Sequence, residues 1–265
     1  MARADSRNCA DSEFDGRVAV VTGGASGIGQ AIVKRLSDAG AVVHTVDVLV
    51  EESGSTEHRL DVRDTSGCHE LLREISERDG PVGLLVNAAA ILGPVGPVET
   101  LDIEDWRNVF AINVEGVLNM MASALPQMYE NRFGRIVNMT SLAGEYGAPT
   151  KAAYVATKHA VFGMTKTVAL EGGGRGVTCN AVAPTWVDTG LAWQQFVDIA
   201  AKLGFASGDA VADHIAGASA IGRLVEPDEV ARIVLDIMKH SAMTGARIAV
   251  DGGVSAGSFN MLRAS

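Results

Sequence analysis

The feature that most constrains this chain is a glycine-rich turn set between a strand pattern and a helix pattern. Val18-Ala19-Val20-Val21 is a β-branched apolar run that suits a strand buried on both faces. It leads directly into Thr22-Gly23-Gly24-Ala25-Ser26-Gly27-Ile28-Gly29. Beyond the turn, Ile28, Ala31, Ile32, Val33 and Leu36 lie on one broad helical face, and the pattern closes at Ala39-Gly40. Glycines here let the backbone turn tightly and approach a phosphate. The helix start adds free N–H donors and the positive end of its dipole. The spacing is GxxxGxG, not the GxGxxG of the ordinary dinucleotide fingerprint, so the strand–turn–helix setting carries the argument. That setting points to a pyrophosphate site.

The rest of the chain repeats the alternation. Strand patterns fall at 41–48, 60–62, 82–87, 135–139, 177–182 and 246–250, with helix patterns at 65–79, 103–129, 151–170 and 227–239. Residues 49–59 read as irregular and 185–222 as mixed helix and loop. This predicts an α/β fold: a single-domain, Rossmann-type doubly wound parallel sheet of about seven strands flanked by helices. The 265 residues are divided into a polar, flexible tail at 1–14 and one domain at 15–265, whose segment 185–222 forms a lid. Aromatics are scarce, with seven Phe, three Tyr and three Trp. The core must then be Val, Ile, Leu and Ala, as a buried parallel sheet requires.

Charge and cysteines remove other classes. The balance of 22 basic to 32 acidic residues gives −10, which opposes a nucleic-acid partner or an anionic membrane surface. The start, MARADSRNCADSEFDGR, has no apolar stretch of the secretory kind, and no apolar run of membrane-spanning length is read. Cys9, Cys68 and Cys179 are widely spaced without a CxxC. They read as reduced thiols of a cytoplasmic protein, with no disulfide scaffold and no metal site.

Asp47 ends the second strand, 18 residues after Gly29. An acid there accepts hydrogen bonds from the adenosine ribose and repels a 2′-phosphate. No Arg or Lys stands at 48–50 or within the glycine turn, so the expected cofactor is NAD rather than NADP. Tyr154 and Lys158 are four apart in a helical pattern and share a face. A phenol is a poor proton-transfer group near neutrality, and a neighbouring ammonium lowers its pKa. Ser141 lies 13 residues before Tyr154, just past a strand end where doubly wound sheets place ligand-facing residues. Asn113 sits inside a helix pattern, either as a satisfied structural amide or as part of a polar relay.

Over about 14–255 the chain resembles the short-chain dehydrogenase/reductase family. The motifs are the glycine turn, Asp61-Val62, Asn87-Ala88-Ala89-Ala90, Asn113, Ser141, Tyr154-x-x-x-Lys158, Asn180-Ala181-Val182-Ala183-Pro184 and Asp251-Gly252-Gly253. The resemblance implies a dehydrogenase or reductase of a secondary alcohol and ketone. Tyr154 would be the general acid/base, Ser141 would orient the substrate oxygen, and Lys158 would lower the Tyr154 pKa and hold the nicotinamide ribose. Asn113 would anchor a water linking Lys158 to solvent. Gly23, Ser26, Gly27, Ile28, Gly29 and Asp47 would bind the dinucleotide, Asp61 and Val62 the adenine, and Val187 and Thr189 the carboxamide, while Asn87 would line the cleft. The family usually has Asn-Asn-Ala-Gly at 87–90 and Pro-Gly at 184–185, where this chain has three alanines and Thr185.

A narrower resemblance is to 3-hydroxybutyrate dehydrogenases. It rests on Lys151, the run Tyr154–His159, Trp186-Val187 and Ile199-Ala200-Ala201-Lys202-Leu203-Gly204. It implies Lys151 and Trp186 as contacts of a short hydroxy acid, although Leu92 and Gly144 replace that group's polar residues. His159 reads as solvent-facing. Other small cyclic, polyol or 3-oxoacyl substrates stay open, as do epimerisation or dehydration through a keto intermediate and a dinucleotide-binding regulator without turnover. Trp186, Trp193, Phe196 and Phe205 are expected to wall the substrate, with packing of the lid helices on the body an equal alternative for Phe196 and Phe205. The resemblance further implies a homotetramer built on 103–129, 151–170 and the C-terminal segment.

Overall fold

A computed structural model describes residues 14–51 and 54–256. Residues 1–13, most of the segment read as a tail, and with them Cys9, lie outside the described residues. So does 257–265, part of the segment expected to reach a neighbouring subunit. Phe14, read as the tail's last residue, is instead buried in the core. An aromatic ring leaves water there, so the packed body includes Phe14, which the expected boundary left in the tail.

Seven strands, all parallel, form one sheet in the order β3-β2-β1-β4-β5-β6-β7. They are β1 (Val18–Thr22), β2 (Val42–Asp47), β3 (Glu57–Arg59), β4 (Val82–Asn87), β5 (Gly134–Met139), β6 (Val177–Pro184) and β7 (Arg247–Val250). The chain winds outward from β1 to β3 and then returns to place β4 on the other side of β1. That reversal opens a crevice at the C-terminal ends of β1 and β4. β1, β4 and β6 are buried along their whole length. Their Val-rich sequences suit a sheet covered on both faces.

The helices are α1 (Gly27–Asp38), α2 (Thr65–Asp79), α3 (Ile103–Phe110), α4 (Gly116–Glu130), α5 (Ala152–Gly172), α6 (Gly190–Leu203), α7 (Gly208–Ala218) and α8 (Pro227–Lys239). On one face α1 and α8 bury Ile32, Leu36, Val230 and Val234 against Val21, Leu84 and Val137. On the other, α2, α4 and α5 bury Leu72, Met120, Met128 and Val161 against Val20, Leu85 and Ile136. Helices α6 and α7 form a smaller cluster of their own around Phe196 and Val211. They occupy the span expected to be the lid. Cys68 and Cys179 are buried and unpaired.

Two elements differ from expectation. The third strand is Glu57–Arg59, not 60–62, because its pairing with Thr45–Asp47 ends there. The chain then turns, with the Asp61 carboxylate accepting from Arg63 N at 2.9 Å. The helix expected over 103–129 is continuous to Glu130, but it contains a π-helical turn at Ala111–Glu115 that carries Asn113. Ile103–Glu130 is also long and apolar enough to cross a membrane, against the reading that no such run exists. Its Met120, Met121, Ala124 and Met128 pack into the core.

Candidate active site

The glycine turn fits a close ligand. Gly23 has φ +67°, and a Cβ there would come within 2.7 Å of Ala89 N. Gly27 has φ +52°, and a Cβ would meet Thr189 Cγ2 at 3.2 Å. A side chain at Gly23 would collide with the backbone after β4, and one at Gly27 would crowd Thr189. Thr22 Oγ1 accepts from Ala88 N and Ala89 N at 3.1 and 3.2 Å, which joins the turn to the end of β4. Two of the three alanines where the family has Asn-Ala-Gly, Ala88 and Ala89, are thus held through their backbone.

Gly23, Ser26, Gly27, Ile28, Gly29, Asp47, Asp61, Val62 and Thr189 line one cleft. Asp47 closes β2, accepting from Ala25 N at 3.1 Å and Leu49 N at 3.0 Å. Its carboxylate thereby fastens the glycine turn to the strand end. Val62 is buried against Gly116, while Asp61 is half-buried. Arg63 lines the same cleft, a cation that inspection of 48–50 misses. Its guanidinium is taken up by Asp61, with Nη2 to Oδ2 at 2.6 Å, and by Asn108 Oδ1 at 3.1 Å.

A second cavity, about 310 Å³, adjoins this cleft through Ile28, Ala88, Ala90, Thr189 and Leu191. It contains Ser141, Tyr154 and Lys158 together with Lys151, Trp186 and Val187. Ser141 lies beyond the end of β5 and caps a 3-10 turn, Leu142–Gly144, its Oγ accepting from Ala143 N at 3.2 Å. Tyr154 and Lys158 occupy the first turns of α5, with Lys158 Nζ 5.4 Å from the Tyr154 ring centre. Lys158 is buried, donates from Nζ to Met139 O at 2.9 Å, and is lowered by burial to about 8. The expectation that the phenol sits below its ordinary value is not met. Burial pushes Tyr154 up to about 12, against the pull of its hydrogen bond with Ser141. The desolvated ring disfavours the phenolate more than this neighbour favours it.

Asn113 is fully buried in the π-helical turn. Its Oδ1 accepts from Ile91 N at 2.9 Å, and its Nδ2 donates to Ile91 O at 2.8 Å and Thr157 Oγ1 at 3.2 Å. The side chain ties the loop after β4 to α5, which is the structural-amide alternative. Asn87 is buried below the cleft instead of lining it, its amide donating to Asn138 Oδ1 at 2.8 Å. A residue at the end of a strand buried on both faces points into a neighbouring layer as readily as into the crevice.

At the far end of the cavity the Lys151 ammonium donates to Gln195 Oε1 and lies 4.5 Å from the Trp186 ring centre. Burial lowers Lys151 to about 8. Gln195, on α6, is buried and was not singled out by the sequence. Of the four aromatics expected to wall the substrate, only Trp186 lines the cavity. Phe196 forms the core of the lid cluster, Phe205 packs beside it, and Trp193 faces outward with Nε1 donating to Asp188 Oδ1 at 2.6 Å. The helix α6 must bury one face in its own cluster before it can offer the other to a ligand. Leu92 lines the cavity and Gly144 packs on Lys158 O instead. Val187 and Thr189 lead into α6, with Thr189 Oγ1 capping it through Ala192 N at 3.3 Å. His159 is exposed.

Residues 17–199 match the model of a family described as short chain dehydrogenase. The D-beta-hydroxybutyrate dehydrogenase of Rhizobium meliloti is 32% identical over 256 residues, covering 91% of this chain and 99% of that protein. Among solved structures, an NAD+-bound xylitol dehydrogenase aligns with a TM-score of 0.86 at 27% identity, covering 91% of this chain and 100% of its own. ElxO with NADP bound aligns at 0.81 and 27%, covering 91% and 99%.

Proposed function

The chain belongs to the short-chain dehydrogenase family, and from that premise we propose that it uses NAD to interconvert a secondary alcohol and a ketone, with Tyr154 moving the proton. One observation carries the reading. Ser141, Tyr154 and Lys158 converge on a cavity that opens into the glycine-lined cleft through Ile28, Ala88, Ala90 and Thr189.

The bound dinucleotide would supply the redox chemistry, taking up or returning two electrons. Gly23, Ser26, Gly27, Ile28 and Gly29 would hold its pyrophosphate at the start of α1. Asp47 would receive the ribose hydroxyls, Asp61 and Val62 the adenine, Val187 and Thr189 the carboxamide, and Lys158 the nicotinamide ribose. NAD is favoured over NADP because a 2′-phosphate would face the Asp47 carboxylate. The nearby Arg63 is already committed to Asp61.

The chain's own residues perform the proton chemistry. Ser141 Oγ and the Tyr154 hydroxyl bracket the site for the substrate oxygen. In reduction Tyr154, protonated across the physiological range, donates to the ketone oxygen. In oxidation it takes the hydroxyl proton, and the Lys158 ammonium stabilises the phenolate so formed.

The substrate end supports a short hydroxy acid such as 3-hydroxybutyrate. The Lys151 ammonium is presented there by Gln195 and Trp186 with no carboxylate beside it among the described residues, and a substrate carboxylate would complete the pair. The apolar remainder of the wall (Leu92, Met139, Leu142 and Leu191) favours a second reading, a small cyclic alcohol. We also place the protein in the cytoplasm, consistent with its unpaired cysteines, and infer a homotetramer. Leu118 on α4 and Leu170 on α5 are exposed large apolar residues available to such an interface.

The test is NADH formation from NAD with a panel of hydroxy acids, polyols and cyclic alcohols, and the reverse reaction with the matching ketones. Turnover with NAD and a short hydroxy acid is expected. No turnover in either direction overturns the enzymatic reading, and turnover with NADP alone overturns the choice of cofactor.

A further inference from the structure

The segment after Ser141 is a single 3-10 turn, Leu142–Gly144, and one turn provides few bonds to hold its own place. On its inner side Gly144 is pressed on the catalytic helix, where a Cβ would come within 3.1 Å of Lys158 O. On its outer side Glu145 closes the turn, donating from N to Leu142 O at 3.1 Å. The Glu145 carboxylate is ion-paired with Arg247 Nη2.

Arg247 is the first residue of β7, at the edge of the sheet, in register with Ala181 of β6. Because β6 lies between β5 and β7, the pair spans a whole strand to reach the turn that carries Ser141. The Arg247 side chain is 15% exposed, and its Nη1 is buried without a hydrogen-bond partner among the described residues. A guanidinium so placed depends on its carboxylate, because an unpaired buried charge is costly. The nearby acid Asp251 is already accepting from Gly253 N and Ser255 N. Arg247 and Glu145 line neither cavity, yet Leu142, Ala143, Tyr146, Gly147 and Ala148 all line the substrate cavity.

We propose that the Glu145–Arg247 ion pair positions Ser141 and the adjoining wall of the substrate cavity, so that both are positioning residues for the reaction. The inference rests on the dehydrogenase reading above. The pair sets the turn from outside as Gly144 sets it from inside. Releasing it moves the Ser141 hydroxyl away from the substrate oxygen while leaving the glycine-lined cleft alone.

The test compares Glu145→Gln, Arg247→Met and the charge reversal Glu145→Arg with Arg247→Glu, using the substrate that the wild type turns over best. Each single variant is expected to lower kcat about tenfold through misplacement of Ser141. NADH binding, followed by its fluorescence, stays unchanged, and amide exchange quickens at 142–148. The charge reversal is expected to recover most of the kcat. Full kcat in both single variants overturns the proposal. So does a kcat loss that follows an equal loss of NADH binding and thermal stability and is not rescued by the reversal. If the wild type turns over nothing, the dehydrogenase reading fails by itself. Exchange at 142–148 then still decides whether the pair holds the turn: faster in Glu145→Gln supports it, unchanged overturns it.

Discussion

Lys158 reaches from the catalytic helix to the main chain of the central sheet, its Nζ donating to Met139 O at 2.9 Å. Met139 ends β5 two residues before Ser141, so one bond fixes both where the ammonium sits and how α5 docks on the strand that carries the serine. Neither a shorter nor an uncharged side chain can serve both ends. Lys158→Met is expected to lower kcat by about 10²–10⁴-fold, the range for lost acid–base assistance. Initial rates with saturating NAD measure it, and near-full activity would remove Lys158 from the proton chemistry.

Tyr154 sets the direction of the pH dependence. Burial raises its pKa from 10 to about 12, so the phenol keeps its proton at neutral pH. Reduction uses the protonated form and is expected to hold its rate through neutrality, falling as the pH approaches the raised value. Oxidation uses the phenolate and is expected to climb with pH until about 8, where the Lys158 ammonium that stabilises the phenolate begins to be lost. Tyr154→Phe should lose about 10²–10⁴-fold in both directions while still binding NADH. Parallel pH profiles in the two directions would contradict the role.

Much of this architecture is legible in the residues. Val18–Val21 followed by glycines, and Pro227 opening a helix that ends near 239, appear in the structure where their patterns place them. Periodicity reads whole elements because burial repeats along them. What it misses is set by tertiary context. The third strand lies at Glu57–Arg59, where three consecutive polar residues give no strand signal, because pairing with β2 decides it. Asn113 resides in a π-helical turn that local sequence does not mark. Gln195 and Glu145 matter through partners 44 and 102 positions away along the chain, Lys151 and Arg247. No window of neighbouring residues contains such a pair.

Asp47 is the cofactor test. Its carboxylate already accepts from Ala25 N and Leu49 N, and it is the acid that would meet a 2′-phosphate. Asp47→Ser removes the charge and leaves one shorter hydroxyl in place of the two carboxylate oxygens. A charged hydrogen bond is worth about 1.5–3 kcal/mol, so the preference for NAD over NADP should fall by about 10–100-fold. Taking the ratio of kcat/KM for the two cofactors cancels any general loss of stability. An unchanged ratio would move the discrimination elsewhere in the cleft.

Lys151 reports on the substrate. Burial lowers its pKa from 10.5 to about 8, so the ammonium is charged at neutral pH and lost above that value. If a substrate carboxylate pairs with it, KM for that substrate rises as the pH passes about 8. Lys151→Met should remove that rise and weaken kcat/KM by about 1.5–3 kcal/mol, roughly 10–100-fold. A neutral cyclic alcohol should show a much smaller loss. Equal losses for both would argue against an anionic substrate.

The last prediction concerns stability. His44 on β2 is fully buried, with Nδ1 3.0 Å from His58 Nε2 and Nε2 3.2 Å from Asp79 Oδ2. Burial, and then His58, lower its pKa from 6.5 to about 4, against the pull of Asp79. The unfolded chain therefore binds this proton first as the pH drops. The stability contributed by the neutral ring is fully present above about 6.5 and is lost progressively down to about 4. At 1.36 kcal/mol per pKa unit the loss amounts to about 3 kcal/mol. Urea unfolding of wild type and His44→Gln, each at pH 7 and pH 4, measures it. Groups away from His44 titrate in both proteins and cancel in the difference, while its partners His58 and Asp79 enter with it. The wild type should lose about 3 kcal/mol more than the variant between the two pH values, and equal losses would show that His44 titrates alike folded and unfolded.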